Sequence, residues 1–304
     1  MRVLLIVNAT ASSVTARSRV IIQKALGADH DLEVVETSRR GHAARLARGA
    51  AAEGVEVVAV LAGDGTLNEA ADGLVGTDTA IAPLPGGSTN VYARSLGIPD
   101  DPVEAAGELL DALDRKSFRR IGLGRIGDRH FLFHCGVGFD AAVVEAVERR
   151  AAFKRYAAHP LFVMAAFDTW LRTYDHSHGR FSVTFPDGET VPDATFLIIS
   201  KVSPYTYLGH RPITVAPAAT LDSALSFTVI RARHTPGILS IAARAFLSTK
   251  ALHRQRDVVQ RDQITAATIS SDEPFPYQVD GDYLGDVRRL DIAFVPDALT
   301  LVAP

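Results

Sequence analysis

Residues 55–69 combine an apolar run, a glycine-rich turn and the start of a helix. The run Val55–Ala62 is short, nearly all apolar and rich in β-branched residues, which is typical of a strand buried on both faces of a parallel sheet. Gly63-Asp64-Gly65-Thr66 follows at once, and Glu69 stands three residues after Thr66. We therefore predict that Thr66 caps a helix and that Glu69 bonds back to it.

Such a turn joins the carboxyl end of a strand to the amino end of a helix. Backbone N–H groups converge there, and glycine lets a ligand approach the main chain, so the geometry suits an anion such as phosphate. Asp64 would repel a phosphate unless a cation lay between them, and Mg²⁺ is the usual cation. An ordinary strand-to-helix turn with two permissive glycines would have the same spacing.

Two familiar nucleotide motifs do not match this turn. A dinucleotide fingerprint needs glycine or alanine where Asn68 stands. A Walker P-loop needs Gly-Lys-Ser/Thr, which occurs nowhere in the chain. The turn is therefore a phosphate-site candidate of another kind.

Strands and helices alternate through residues 1–120, which predicts a doubly wound parallel sheet and an α/β nucleotide-binding domain. The other predicted strands are Val3–Val7, Leu32–Glu36 and Ala80–Leu84. Ligands of such sheets bind beyond the carboxyl ends of the strands. These ends carry hydroxyl, amide or glycine residues: Asn8–Ser12, Thr37 with Ser38, Gly63–Thr66, and Gly86–Asn90 with Ser88. We expect a cleft there that holds phosphates and sugar hydroxyls.

After about Ile121 the pattern changes to many short strands separated by turns, with helical segments over residues 139–172. This pattern predicts an antiparallel β-sandwich domain over residues 121–296, so the fold class is α/β plus all-β, with a cleft between the domains. Val279-Asp280-Gly281-Asp282 places two carboxylates around a hairpin turn, and a solvated turn is the alternative interpretation. The last apolar piece, Leu299–Ala303 within residues 297–304, is expected to return to the first sheet.

Length, net charge and cysteine content limit the classes of protein to which the chain can belong. With 304 residues the chain is long enough for about two domains, and a net charge of −3 indicates no attraction for nucleic acid. Cys135 is the single cysteine, so we expect no internal disulfide and a packed thiol rather than a nucleophile. The amino-terminal apolar run stops after seven residues, which is too short for a signal peptide. We expect a cytosolic protein that at most visits a membrane surface.

Two stretches combine basic and apolar residues. Residues 148–174 place Arg149, Arg150, Lys154 and Arg155 beside Phe153, Phe162, Phe167 and Trp170, and residues 244–256 are similar. A core helix with a solvated basic end is one interpretation. The other is an interfacial patch that meets anionic lipid.

With these residues in hand, the chain resembles, nearly end to end, the diacylglycerol kinase catalytic-domain family, which also contains sphingosine kinases and is distantly related to NAD kinases. The family's loop Gly-Gly-Asp-Gly-Thr followed by Asn-Glu is similar to Ala62–Glu69. Its second motif, Gly-Thr-x-Asn-Asp-Phe-Ala-Arg before Leu-Gly-Ile-Pro, is similar to Gly87–Arg94 before Leu96–Pro99. "GVGFDAAV" from Gly136 and "QVDGDYLG" from Gln278 also resemble family segments.

The resemblance implies an ATP- and Mg²⁺-dependent kinase that phosphorylates a lipid hydroxyl at the membrane surface, with diacylglycerol converted to phosphatidic acid. It implies that ATP is held by loops carrying Asn8, Thr37, Gly63, Asp64, Gly65, Thr66 and Ser88. Asp64 would bind Mg²⁺ or orient the reacting groups. Asp282 stands where bacterial members have the Glu of Val-Asp-Gly-Glu, the base that accepts the proton of the lipid hydroxyl.

Two departures from the family pattern bear on these roles. Val91 replaces the Asp of the second motif. Leu221-Asp222-Ser223-Ala224 replaces the Leu-Asp-Asp-Gly of a second, stabilising Mg²⁺ site in some bacterial members, so these residues do not support that site. A kinase for another lipid, an NAD kinase and a lipid-binding protein that has lost catalysis stay open as alternatives.

Overall fold

The computed structural model describes residues 1–149, 164–247 and 252–303. The chain divides into two units by its internal contacts. Unit 1 consists of Met1–Leu123 with Pro296–Pro304, and unit 2 consists of Gly124–Val295.

Unit 1 is built on a parallel sheet. Its strands are β1 (Arg2–Val7), β2 (Asp31–Glu36), β3 (Val57–Ala62) and β4 (Ala80–Pro85), and its helices are α1 (Ala16–Asp29), α2 (His42–Ala52), α3 (Asp64–Leu74), α4 (Val91–Ser95) and α5 (Pro102–Asp114). The strands lie in the order β4-β3-β1-β2, and each neighbouring pair is parallel. Every residue of β3 and β4 is buried, as expected for strands covered on both faces. The predicted parallel α/β class is confirmed.

Helix α3 begins earlier than the sequence predicted. Its N-cap is Gly63, which has an extended backbone and whose carbonyl accepts from the N–H groups of Thr66 and Leu67 at 3.1 and 3.2 Å. Thr66 therefore lies inside the first turn and cannot be the cap. Glu69 instead accepts a hydrogen bond from the Gly41 N–H at 2.8 Å. The predicted Thr66–Glu69 capping box is wrong, because the extended glycine lets the helix start at Asp64.

Unit 2 is rich in antiparallel strands. The remaining strands are β5 (Phe118–Ile126), β6 (Arg129–Phe131), β7 (His134–Gly138), β8 (Phe181–Thr184), β9 (Thr190–Ala194), β10 (Phe196–Ser200), β11 (Thr206–Leu208), β12 (Arg211–Ile213), β13 (Leu225–Ile230), β14 (Val258–Ile264), β15 (Ala266–Val279) and β16 (Asp282–Val302). The order β14-β13-β10-β7-β15-β16 is antiparallel at each step, and β8 and β9 extend it beside β15. The predicted antiparallel class of the second half is confirmed.

Helices accompany these strands. They are α6 (Phe139–Arg149), a helical segment over residues 164–168 that continues into a π-helical turn at Thr169–Thr173, and α7 (Thr235–Leu247). Residues 150–163 and 248–251, which include most of the predicted basic and aromatic patch, lie outside the described residues. None of the helices in the described ranges is both long enough and apolar enough to cross a bilayer.

The end of β16 belongs to unit 1. Thr300 and Leu301 pair in parallel with Ala80 and Ile81 of β4, and Leu299 and Leu301 are fully buried. The chain therefore returns to the first sheet after crossing unit 2.

Candidate active site

Loops of unit 1 meet at the carboxyl ends of the parallel strands. The Asn8 N–H donates to the Leu61 carbonyl at 3.1 Å, and the Thr37 N–H donates to the Val7 carbonyl at 2.9 Å. Asn8 Nδ2 also donates to Thr66 Oγ1 at 3.3 Å. The loop residues named from the sequence therefore lie along one edge of the sheet.

The loop after β4 is bonded to the loop after β1. Ser13 donates twice, from its N–H to the Gly86 carbonyl and from its hydroxyl to the Gly87 carbonyl, both at 2.9 Å. Ser88 follows directly in this loop and is exposed. The loops that carry Asn8 and Ser88 thus form one connected backbone surface.

Gly63 and Gly87 bring two of these loops into backbone contact. A Cβ built on Gly87 would lie 2.8 Å from Gly63 Cα, and one built on Gly86 would lie 2.8 Å from the Ala62 nitrogen. A Cβ on Gly63 would meet its nearest atom at 3.5 Å, which is ordinary contact. Loop packing alone therefore requires glycine at 86 and 87, whereas Gly63 is not required by its protein neighbours.

Asp64 links the two loop motifs. Its carboxylate oxygens accept from the backbone N–H groups of Val91 and Tyr92, at 2.9 and 3.0 Å, so Asp64 caps the amino end of α4 from a distant part of the chain. Burial raises the pKa of Asp64 above its ordinary value of 3.8, and these two amide hydrogen bonds act against that rise. The sequence predicted only a role toward phosphate and Mg²⁺. The contact with Val91 and Tyr92 adds a structural role that local spacing did not indicate.

The donor chemistry of Asp64 still fits Mg²⁺. Each carboxylate oxygen accepts one amide and can offer a second lone pair. Within the described ranges, no cluster of three or more His, Cys, Asp or Glu side chains could hold a metal by itself. Mg²⁺ commonly binds through one or two carboxylates, completed by water and substrate phosphates. Asp64 is therefore a candidate single-carboxylate ligand.

In unit 2 the hairpin between β15 and β16 has the tight turn expected for Asp-Gly. Asp280 and Gly281 have φ values of 47° and 84°, and Val279 pairs with Asp282. The Asp280 side chain is not solvated, since the residue is 4% exposed. Its carboxylate accepts from three backbone N–H groups, those of Leu132, Phe133 and His134, at 2.7, 3.1 and 2.9 Å. The solvated-turn interpretation is wrong for Asp280, which anchors the turn to the segment between β6 and β7.

Asp282 forms an ion pair that the sequence did not predict. Arg129 Nη2 lies 2.9 Å from Asp282 Oδ2, and the two side chains are 29% and 16% exposed. Arg129 opens β6, which pairs with β5 through Ile126. Because 153 residues separate the partners, no local pattern could have indicated this contact.

A buried polar network supports the same hairpin. Gln278 Nε2 donates to Asp140 Oδ2 at 2.7 Å, and Gln278 Oε1 accepts from the Gly281 N–H at 2.8 Å. The Tyr205 hydroxyl donates to the other Asp140 oxygen. Burial raises the pKa of Asp140, and the bonds from Tyr205 and Gln278 act against that rise. The family-like segments at 136–143 and 278–285 contained Asp140 and Gln278, but their spacing did not reveal the partnership.

The Lys201 side chain reaches the loop in which the second metal site was in question. Its ammonium donates to the carbonyls of Thr220 and Leu221 at 2.9 and 3.1 Å, and the residue is 1% exposed. A protein cation therefore already binds two carbonyl oxygens of this loop. The residues present do not fit a second Mg²⁺ at those carbonyls.

Cys135 is a core residue, as the sequence predicted. It is fully buried and free, and burial raises the pKa of its thiol well above the ordinary value. A buried thiol with a raised pKa is a poor nucleophile.

A parallel α/β unit with connected glycine-rich loops and a second, antiparallel unit with a carboxylate hairpin define a protein of the lipid-kinase class. Residues 2–126 match the model of the diacylglycerol kinase catalytic domain. A protein of Chromohalobacter salexigens named "Probable lipid kinase YegS-like" is 30% identical over 91% of this chain and 85% of its own length. The chain therefore belongs to the diacylglycerol kinase catalytic-domain family and is an enzyme of the lipid-kinase type.

Two further comparisons agree with this assignment. The diacylglycerol kinase of Bacillus subtilis (strain 168) is 31% identical over 39% of this chain and 39% of its own length. A crystal structure of a diacylglycerol kinase from Bacillus anthracis str. Sterne matches with a TM-score of 0.71 and 21% identity, over 100% of this chain and 97% of that one. At this identity the structural match supports the fold alone.

Proposed function

We propose that this protein transfers the γ-phosphoryl group of ATP to the hydroxyl of diacylglycerol and so forms phosphatidic acid for phospholipid synthesis. The observation that carries the proposal is the set of connected loops at the carboxyl edge of the parallel sheet, where Gly63 meets Gly87. Membership of the lipid-kinase family makes ATP the expected phosphoryl donor and a lipid alcohol the expected acceptor.

In this proposal the loops of unit 1 bind the nucleotide. Asn8, Thr37 and Ser88 offer amide and hydroxyl groups, and Gly63, Gly65 and Thr66 offer the amino end of α3 for the phosphates. Asp64 would hold Mg²⁺, which when bound offsets the charge of the phosphates.

Asp282 is the proposed base. Its carboxylate accepts the proton of the lipid hydroxyl while the hydroxyl oxygen bonds to the γ-phosphorus and the bond from that phosphorus to the leaving ADP oxygen breaks. Arg129 holds Asp282 Oδ2 and so orients the carboxylate. Gln278 and Asp140 position the turn on which Asp282 lies.

We further propose that the protein acts from the cytosol at a membrane surface, since its acceptor resides in a bilayer. A lipid-binding protein without catalysis is the second candidate. It is favoured by one observation, namely that both proposed reactive carboxylates already have protein partners.

The test is incubation of the purified protein with ATP labelled in the γ-phosphate, Mg²⁺ and separate acceptors: diacylglycerol, a sphingoid base, a glycolipid and NAD. We expect labelled phosphatidic acid, and no product when Mg²⁺ is chelated. A labelled sphingoid base or glycolipid would move the enzyme to another acceptor lipid, and labelled NADP would identify an NAD kinase. Lipid binding without any labelled product would support the candidate that has lost catalysis.

A further inference from the structure

Unit 2 exposes large apolar side chains in three segments only, within its described residues. These side chains, between 39% and 72% exposed, are Met164, Phe167 and Leu171 in residues 164–173, Leu208 in β11, and Leu239 and Leu247 in α7. Scattered single apolar residues are normal on a protein surface, whereas a cluster indicates a binding surface.

The other two segments each contact α7. Trp170 Nε1 donates to Thr235 Oγ1 at 3.2 Å, which joins residues 164–173 to the start of α7. The Arg211 guanidinium lies 4.0 Å from the centre of the Phe246 ring and donates to the Phe246 carbonyl at 2.9 Å, which joins the β11–β12 hairpin to the end of α7. Both segments are therefore joined to α7, and we call the exposed apolar side chains of the three segments the apolar surface.

Helix α7 is apolar on both of its faces. Ile238, Ile241 and Ala245 pack inward against the core of unit 2. Leu239 and Leu247 point outward, together with exposed Pro236, Ala242 and Ala243. A helix on the surface of a water-soluble protein normally carries polar residues on its outer face. The outer face of α7 is thus suited to an apolar environment.

Residues 164–173 repeat this arrangement. Met164, Phe167 and Leu171 are spaced three and four residues apart, so they share one helical face, and all are more than half exposed. Ala165 and Trp170 are buried on the other side. The inner face of this segment is packed against the protein, and its outer face again lacks a partner within the described residues.

The charge of these segments favours an anionic partner. Residues 164–173, 206–213 and 235–247 contain three arginines, Arg172, Arg211 and Arg244, and one acidic residue, Asp168. Their formal charge is +2 with histidine neutral, whereas the whole chain carries −3. Arginines beside exposed apolar side chains are typical of helices that lie in the headgroup region of a membrane.

We propose that the apolar surface inserts into the headgroup layer of an anionic lipid bilayer, with Arg172, Arg211 and Arg244 facing the lipid phosphates. The inference rests on the proposed function, because a lipid acceptor requires the enzyme to reach a bilayer. It adds the surface by which unit 2 makes that contact.

The test measures co-sedimentation of the whole protein with phosphatidylcholine vesicles, with and without phosphatidylglycerol, in the absence of ATP. We expect binding that increases with phosphatidylglycerol and a loss of about tenfold or more in Leu171→Ser/Leu239→Ser, since two inserting side chains are removed. The matched control is Val20→Ser/Ile21→Ser, which changes two exposed residues of α1 that are 48% and 38% exposed. It should bind vesicles like the parent protein.

A charge variant tests the second half of the proposal. Arg172→Gln/Arg244→Gln should lose the preference for phosphatidylglycerol and keep the weaker binding to phosphatidylcholine. The proposal is overturned if the parent protein does not sediment with vesicles or if Leu171→Ser/Leu239→Ser binds as the parent does. A change of oligomeric state in Leu171→Ser/Leu239→Ser, without a change in vesicle binding, would assign the surface to a protein contact instead.

Phosphorylation of a water-soluble short-chain diacylglycerol separates this inference from the proposed function. Leu171→Ser/Leu239→Ser should phosphorylate that acceptor at the parental rate, because no bilayer is involved. If the parent binds vesicles yet phosphorylates no acceptor, the proposed function fails while the membrane surface stands.

Discussion

Arg129 Nη2 and Asp282 Oδ2 lie 2.9 Å apart and form an ion pair between β6 and the first residue of β16. Both side chains are largely shielded from solvent, so this pair differs from the freely solvated pairs that contribute little to stability. The proposed base is therefore held in one orientation by a residue far away in the sequence.

The first prediction concerns this carboxylate. Asp282→Asn should bind ATP and lipid nearly as the parent does but lose roughly 10²–10⁴-fold in turnover, because general-base help is of that size. Initial rates against pH, measured beside equilibrium ATP binding, provide the test.

Two variants serve as controls for Asp282. Asp282→Glu should keep substantial activity, because it keeps a carboxylate at this position and lengthens the side chain by only one methylene group. Arg129→Gln should reduce turnover less than Asp282→Asn does, since it removes the orienting partner and leaves the proton acceptor. An Asp282→Asn enzyme with the parental rate and pH profile would exclude Asp282 as the base.

Asp280 should behave in the opposite way. Asp280→Asn keeps the size of the side chain and tolerates the positive φ, but it replaces an oxygen that accepts a buried N–H with an amide that cannot accept. We expect the free energy of unfolding to fall by about 2–3 kcal/mol, with turnover per folded molecule reduced far less than in Asp282→Asn. Urea unfolding and rates at low temperature test this. Unchanged stability together with lost turnover would make Asp280 the stronger candidate for the base.

The elements that the sequence predicted well depend on local pattern. The buried apolar runs of β3 and β4 and the glycines after them indicated the parallel sheet, since strands covered on both faces need no alternation. Asp280-Gly281 indicated the tight turn, because both positions require positive φ. The start of α3 was missed because an extended Gly63 caps the helix without a side chain.

The parts that the sequence could not predict are long-range contacts between side chains and distant backbone. Asp64 binds amides 27 and 28 residues away, and Asp280 binds amides about 147 residues away. Each carboxylate was recognisable as a chemical group, but its partner depends on how strands from different parts of the chain come together. The predicted roles of Asp64 and Asp282 in binding and catalysis stay predictions that the variants test.

For Asp64 the structure predicts two effects of one substitution. Asp64→Asn removes the charge proposed to hold Mg²⁺, so turnover should fall on the order of 10²-fold or more. It also leaves the N–H of Val91 or Tyr92 without an acceptor, so the free energy of unfolding should fall by about 1–3 kcal/mol. Titration of activity with Mg²⁺ distinguishes the two, since loss of a metal ligand raises the Mg²⁺ concentration needed for half-maximal rate. An unchanged Mg²⁺ requirement would leave Asp64 with the structural role alone.

The contacts of Lys201 predict how the stability of the protein responds to removal of divalent cations. Its ammonium already binds the carbonyls of Thr220 and Leu221, so chelation of divalent cations should not change the melting temperature of the nucleotide-free protein. Lys201→Met should lower the free energy of unfolding by about 1–3 kcal/mol, because the part-buried carbonyls of Thr220 and Leu221 lose a charged donor. Calorimetry with and without a chelator tests both statements. A lower melting temperature of the parent protein after chelation would show that a structural metal exists.

The last prediction concerns His134 and the acid stability of the protein. His134 is 7% exposed and lies between the rings of Phe133 and Tyr205, at centroid distances of 4.7 and 4.8 Å. Burial lowers the pKa of His134 from 6.5 to about 3, because the charged imidazolium would lose its hydration. The folded protein therefore keeps His134 neutral over a pH range in which the unfolded chain protonates it.

The sign of the effect follows from this difference. Between pH 6.5 and about 3 the unfolded state binds one more proton at His134 than the folded state, so the stability contributed above pH 6.5 is lost as the pH falls. The slope approaches about 1.4 kcal/mol per pH unit. Asp64 and Asp140, whose pKa values are raised by burial, act in the opposite direction near their own titration. His134→Phe keeps a ring but cannot titrate. Comparison of the parent with this variant cancels the contribution of Asp64 and Asp140, which both proteins share.

Urea unfolding of both proteins at a series of pH values from neutral to mildly acidic provides the measurement. We expect the free energy of unfolding of the parent to fall relative to that of His134→Phe as the pH decreases below 6.5, with parallel curves above pH 7.5. Parallel curves for the parent and His134→Phe throughout would mean that His134 has the same pKa in the folded and unfolded states. A neighbouring group would then have to stabilise the buried imidazolium.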